Sequence, residues 1–538
     1  MKHTYTRFAL AAFTLLYIIT LVAHPIAAQS TLPFDDISSS YAKQEIIDLY
    51  NKKIITGTSE RSFSPKQSIS RAEFVTVLDR LLGLEPVPTP VSPYTDVPMK
   101  AWYYGWIQAA VQLGLADGVS ASLFAPAKAV TRQEAAVLLT RALKKLDHKS
   151  EEKLSFGDDS RIAAWASSSV VAMNALGLMK GDDKGNFRPS DPISRQETAV
   201  MIHRVLQNVN WAAELAAKPK ETIKLGWQYG QTTQQYEQTV LKSNVNTLSP
   251  RWYFTGEAGE ISDNTDPSLV AWAKQHNKKV WAMVGNRSDQ AATHKLLSSS
   301  TLRTKAISQL AEYVTKYKLD GLNIDFENVA PQDRAALTAF ITELSKKMKL
   351  LNVTLSLDVS PDRGTDWTDA FDFAALGKLA DYIVLMGYDE HWGDGSEAGS
   401  NASIGFDEAA VNKLLKLVPS QKVILGVPFY NRDWDLKKDG SVESSAFISF
   451  SEQNAIISKY GISPLWDAKI GQYTAAYMKN GIQHKIWVED GRSLTEKYKL
   501  AVKSKLAGLA YWYVGGESPD IWISLKNADR FLGYSFSS

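Results

Sequence analysis

The sequence predicts a multidomain chain: an all-α part built from three copies of one module, then an α/β part folded as a (β/α)8 barrel. Three observations lead there. At 538 residues the chain exceeds what one compact domain holds. Residues 30–210 repeat one pattern at fixed offsets. Beyond them, short apolar strands alternate with amphipathic helical stretches, the order of a parallel barrel.

The repeat is read position by position. Gly57, Phe63, Pro65, Ser70, Arg71 and Glu73 recur as Gly118, Phe124, Pro126, Thr131, Arg132 and Glu134. They recur again as Gly181, Phe187, Pro189, Ser194, Arg195 and Glu197, at periods of 61 and 63 residues. In SRAE, TRQE and SRQE a hydroxyl residue stands three before a Glu, ahead of an apolar run. That is a capping box, so helix initiation explains the Ser/Thr and the Glu. The Gly fits a helix stop after YNKKIITG, VQLGLADG and NALGLMKG. The Arg is left over: at the first helical position a cation opposes the helix dipole. It points either to an anionic partner or to a salt bridge inside the module.

These segments resemble S-layer homology (SLH) domains, with FDDI, YTDV and FGDD as opening motifs. The resemblance implies a pseudo-threefold helical bundle that holds the protein to an anionic secondary cell-wall polysaccharide, often pyruvylated. It places Arg71, Arg132 and Arg195 at the ligand-contacting position. Gly157 departs from the pattern, standing where FDDI has its first Asp.

Composition bounds the rest. With 44% hydrophobic and 22% charged residues the chain is ordinary globular protein, and a formal charge of +2 argues neither for a nucleic-acid nor for an acidic partner, so no nucleic acid is expected. Lys2, His3 and Arg7 precede an apolar run from Phe8 to Val22, followed by Ala27-Ala28. This reads as a secretory signal peptide over residues 1–28; the alternative is a retained anchor, for which the run is short. The mature chain is then expected to be secreted, wall- or S-layer-associated and free of the membrane. There is no cysteine, which excludes thiol nucleophiles, and the eight His show no HExxH spacing. No metal and no cofactor are expected.

The barrel strands are IKLGWQ, VNTLSPRWYF, KVWAMVG, LDGLNIDFE, NVTLSLDV, DYIVLMGYD, KVILGVPFY and GLAYWYVGG. The gap between the last two exceeds one helix and implies an inserted α+β subdomain between strands seven and eight. The expected boundaries are modules at 29–88, 89–151 and 152–211, a short linker or helix tail at 212–221 and the barrel at 222–538. The repeat ends near residue 210 and the first strand begins near Ile223, so few contacts are expected to cross.

DGLNIDFE carries the chemistry. Read with period 2, Asn323, Asp325 and Glu327 share one face, while Leu322, Ile324 and Phe326 share the other. In a barrel the helices cover the apolar face, so the polar face lines the interior, and Glu327 falls at the C-terminal, catalytic end. Glycosidases need two carboxyls across a bond, about 5 Å or about 6.5–9.5 Å apart. Two acids side by side on one strand do not make an opposed pair and fit substrate assistance, with the sugar's acetamide as nucleophile. So close a pair titrates as a coupled unit, with one proton retained near neutral pH.

The segment resembles the DxxDxDxE signature of glycoside hydrolase family 18, and MGYD, GVPFY followed by Asn431-Arg432, and Trp512 match further strand ends. The resemblance implies Glu327 as general acid and base, Asp325 as the residue holding the acetamide N–H, and Tyr388 as a donor to its oxygen. Asp320, Asn323, Met386, Asp389, Tyr430, Arg432 and Trp512 are implied to bind substrate, with Trp512 as the floor under the −1 sugar. Asn323 departs from the Asp of many members and removes a proton-sharing partner for Asp325. YDEHW and IWVEDGRSL look closest to the branch acting on bacterial peptidoglycan. A GlcNAc-containing polysaccharide is thus the expected substrate, with chitin as runner-up. A non-catalytic lectin or a structural wall protein is the rival of another class.

Overall fold

The structure, a computed structural model, describes residues 32–145, 156–256, 258–393 and 395–536. The signal segment lies outside the described residues.

The three modules close around a pseudo-threefold axis. One backbone amide from each donates to the next: Ile69 to Ile193 at 3.0 Å, Ile193 to Val130 at 2.9 Å, and Val130 to Ile69 at 3.0 Å. Helices Arg71–Leu81, Arg132–Ala142 and Arg195–Gln207 radiate from this ring, and each opens with a complete capping box.

The opening motifs act through their third residue. Asp36 accepts the amides of Phe63 and Ser64, Asp96 those of Phe124 and Ala125, and Asp158 those of Phe187 and Arg188. Ser64, Ala125 and Arg188 all have positive φ, so successive N–H groups form a concave anion site that the carboxylate fills. Gly157 therefore costs this module nothing, because the working acid is Asp158.

Gly57, Gly118 and Gly181 are not helix stops. The preceding helices end earlier, with Lys53, Gly114 and Gly177 left-handed after them. The motif glycines lie under the aromatic rings: a Cβ on Gly57 or Gly118 would fall 2.5 Å from the ring of Phe34 or Tyr94, and one on Gly181 would fall 3.0 Å from that of Phe156.

The barrel strands are Ile223–Gln228, Thr247–Thr255, Lys279–Gly285, Gly321–Asp325, Thr354–Val359, Tyr382–Met386, Val423–Pro428 and Gly508–Val514. Each pairs in parallel with its neighbours, and the first pairs with both the second and the eighth, so the barrel closes. Between strands seven and eight stands a five-stranded antiparallel sheet with the helix Phe450–Lys459. Buried Glu489 accepts Lys497 at 2.8 Å, Gln472 at 2.6 Å and Ser493 at 2.7 Å, tying the exit of this sheet to helix Gly491–Lys503. The IWVEDGRSL segment is thus scaffold.

Residues 212–221 begin as a helix tail, since the helix Val209–Ala216 runs into them and Trp211 is buried against Phe536. The expectation that few contacts cross is corrected. Asn527 exchanges two hydrogen bonds with the backbone of Glu85, Tyr534 and Arg530 donate to the Leu82 carbonyl, and Lys144 donates to the carbonyls of Leu532 and Tyr534. The last helix of the barrel, Pro519–Gly533, presents apolar residues that the bundle covers.

Candidate active site

Leu322, Ile324 and Phe326 are buried, and Phe326 stacks on Phe340 of the outer helix Arg334–Leu351. The alternate side chains are thereby turned into the barrel. Asp325 and Glu327 are half-buried at its mouth. The strand ends at Asp325, and Asn286 takes over from it. Its Oδ1 accepts the Glu327 amide at 3.0 Å and its Nδ2 donates to the Glu327 carbonyl at 2.7 Å. Ser288 Oγ donates to Glu327 Oε2 at 3.2 Å.

Burial pushes the Glu327 carboxyl above its ordinary range, with the Ser288 hydrogen bond and Arg251 opposing and Asp389 reinforcing. Burial, then the charge of Glu327, holds Asp325 well above its own, against Arg251. Both shifts favour the protonated forms, and the two acids titrate as a coupled pair.

Around the acids lie the other expected residues. Tyr388 and Met386 are buried after and at the end of strand six. The Tyr430 hydroxyl donates to Asp389, and Arg432 lies close enough to counter the burial of that carboxyl. Trp512 packs edge-on to Trp227 and beside Tyr229, with the Arg251 guanidinium 5.7 Å from its ring centre.

Two expected substrate contacts are corrected. Asp320 lies at the opposite end of its strand, about 20 Å of extended chain from Glu327, where its Oδ2 accepts the Val280 amide at 2.8 Å. Asn323 is fully buried beneath the acids. It accepts from Trp227 Nε1 at 2.8 Å and Ser249 Oγ at 3.1 Å, and donates to Ser356 Oγ at 3.0 Å and Asp358 Oδ1 at 2.6 Å. Both act on the scaffold.

The sequence reading missed Asn286, Ser288, Arg251 and Asp358. A signal existed for Asp358: TLSLDV alternates as DGLNIDFE does and puts Asp358 on the inward face. Asn286, Ser288 and Arg251 carry no local signal of that kind.

The three module arginines are 7%, 6% and 3% exposed in chain order, so they are interior groups. Each reaches into the next module. Arg71 donates to the carbonyls of Phe124 and Asp117, Arg132 to those of Phe187 and Lys180, and Arg195 to those of Phe63 and Thr56. Arg132 also pairs with Glu197 and Arg195 with Glu73. Glu134, the matching acid for Arg71, instead accepts Lys128 at 2.9 Å. The salt bridges of Arg132 and Arg195 run between modules, whereas those of Lys128 and Arg188 stay inside one.

A barrel with adjacent acids at its C-terminal mouth and aromatic rings at other strand ends defines a glycosidase-type site. The chain belongs to glycosyl hydrolases family 18, whose family model matches residues 229–517. The S-layer homology domain model matches residues 33–75, 93–136 and 155–199. Among curated proteins, the Bacillus subtilis glycosylase YvbX is 29% identical over 321 residues, 57% of this chain and 92% of the relative. The cortical fragment-lytic enzyme of Bacillus cereus is 28% identical over 284 residues, 50% of this chain and 65% of the relative. Through the modules, the surface-layer 125 kDa protein of Lysinibacillus sphaericus is 38% identical over 190 residues, 35% of this chain but 16% of that protein. In fold, a chitinase from Chromobacterium violaceum matches 57% of this chain and 99% of its own, with a TM-score of 0.53 and 23% identity.

Proposed function

We propose that this chain cleaves β-1,4 bonds of a GlcNAc-containing polysaccharide, peptidoglycan foremost, by substrate-assisted retaining catalysis. The observation that carries the reading is the placement of Glu327 and Asp325 two residues apart on one strand end. Both approach a sugar from the same side. The carboxyl of Asp389 is already engaged by Tyr430. In this reading Glu327 protonates the glycosidic oxygen and later deprotonates water, and Asp325 holds the acetamide N–H. Tyr388 donates to the acetamide oxygen, Met386, Asp389, Tyr430 and Arg432 shape the −1 subsite, and Trp512 lies under the sugar. Peptidoglycan is favoured over chitin by the wall-type modules and by the cortical fragment-lytic relative.

We infer further that the modules hold the enzyme to an anionic wall polymer. Support comes from a groove of about 160 Å³ lined by Arg132, Lys180, Arg188 and Arg204 with Tyr41 and Glu197, where Arg188 also pairs with Asp182 and Asp191. In this reading Arg132 serves binding as part of the groove wall, and Arg71 and Arg195 hold the equivalent positions in the other modules. The experiment is product release from purified peptidoglycan and from chitin, side by side, with reducing-end analysis. Release of GlcNAc-terminated fragments from peptidoglycan supports the reading; release from chitin alone replaces it with the chitinase reading; release from neither rejects hydrolysis.

A further inference from the structure

Beneath the acids, the inward face of the fourth strand carries an amide at Asn323, and the neighbouring strand supplies a carboxyl. Asn323 lies opposite Ser356 and Ile324 opposite Leu357, so the next inward pair in register is Asp325 and Asp358. Adjacent strands lie about 4.8 Å apart, which makes these two side chains lateral neighbours. Asp358 is 3% exposed, and its Oδ1 accepts Asn323 Nδ2 at 2.6 Å. Asn323 is held from its other side by Trp227, Ser249 and Ser356, so it presents its amide to Asp358 in one orientation.

The titratable groups facing Asp358 are Asp325 and Glu327 from the fourth strand and Tyr388 after the sixth. Among the described residues, the cation acting on the two strand-four acids is Arg251 of the second strand. Three neighbouring carboxyls, Asp358 buried and the other two half-buried, do not all ionise beside one guanidinium. Burial first, and then the charge of Asp325, pushes the Asp358 carboxyl well above its ordinary range, and the Asn323 hydrogen bond opposes this in part.

We propose that Asp325 and Asp358 share one proton, and that Asp358 takes it when Asp325 must become an anion beside the cyclising acetamide. In that step the O–H bond on Asp325 breaks, its electron pair stays on Asp325, and an O–H bond forms on the Asp358 carboxylate. The proton returns once the intermediate has been hydrolysed, and no other reactant enters. Asp358 lies below the sugar and does not touch it, so it is a positioning residue. The proposal rests on the glycosidase reading above.

The test compares wild type, Asp358→Asn and the double variant Asp358→Asn/Asn323→Asp, which exchanges the amide and the carboxyl between the two strands. Kinetics are read across pH on a soluble GlcNAc oligomer, beside the infrared band of protonated carboxyl groups at neutral pH and the melting temperature. For Asp358→Asn we expect kcat to fall about tenfold or more, with KM near wild type because no sugar contact is lost. The alkaline limb should move down by about one pH unit, since a like-charged neighbour is gone, and the infrared band should weaken. The double variant should recover kcat, limb and band. Should Asp358→Asn fail to fold, the double variant still decides, because it retains one carboxyl and one amide. Wild-type kcat and pH profile in a folded Asp358→Asn, or a folded double variant that recovers nothing, would overturn the proposal. A wild type that cleaves no oligomer while its band is intact and lost in Asp358→Asn would instead overturn the glycosidase reading, leaving the shared proton in place.

Discussion

Asn286 clasps the backbone of Glu327 from both sides, as a neighbouring strand would, just where strand pairing has stopped. The carboxyl that has to meet a glycosidic oxygen is therefore aimed by a side chain from the preceding barrel loop. Asn286→Ala should lower kcat about 100-fold through misplacement of Glu327, while the general fold persists because the neighbouring strand ladder is untouched. The check is kcat and KM on a soluble oligomer. A kcat within twofold of wild type would mean that Glu327 is held by other means.

The arginine clamps predict a graded loss of stability. Arg195→Ala frees the buried Phe63 carbonyl, the Thr56 carbonyl and the partner acid Glu73, at about 1–3 kcal/mol for an unsatisfied buried group. Arg71→Ala should cost less, since it has no carboxylate hydrogen bond to lose. Denaturant unfolding of both variants checks the order. Wall sedimentation of these variants is informative only at temperatures where each remains folded, because the side chains belong to the core of the bundle. Equal loss in both would contradict the clamp account.

The raised carboxyl of Glu327 makes a stability prediction of definite sign. A group whose folded pKa lies above its unfolded value of about 4.3 binds its proton more tightly in the folded state. Its contribution is complete below the unfolded value and is lost as pH rises through the folded one. Glu327→Gln removes that loss. The difference in melting temperature, variant minus wild type, should therefore grow as pH rises above about 4. A flat difference over that rise would place Glu327 in a solvated environment.

Much of this was legible because its cause is local. Capping boxes are spelled by residues three apart, and a barrel strand by alternate residues, so SRAE and DGLNIDFE could be read without a partner in view. The module arginines show where such reading stops. A cation at a helix start fits a polymer or a salt bridge equally well, and its actual partners are carbonyls in the next module, joined by a Glu there for Arg132 and Arg195. Asp320 was misplaced because a motif gives residues but not the end of the strand they occupy. Asp358 was missed for the opposite reason: its alternation was readable, but it stands outside the motif. The docking of bundle on barrel was hidden too. Phe531, Tyr534 and Phe536 continue an ordinary amphipathic tail, and nothing local tells which body covers it.

The central claim is that the substrate's acetamide is the nucleophile and that Glu327 is the acid, and one kinetic comparison tests it most directly. Glu327→Gln removes the proton donor, worth roughly 10²–10⁴-fold. An activated aryl glycoside needs little protonation and should restore much of the bond-breaking step in that variant. Asp325→Asn disturbs the acetamide itself, so the better leaving group should rescue it much less. A stable thiazoline mimic of the cyclised acetamide should inhibit the wild type. Equal rescue of both variants, with no inhibition by the thiazoline, would contradict the account and require a second, opposed carboxylate on another strand.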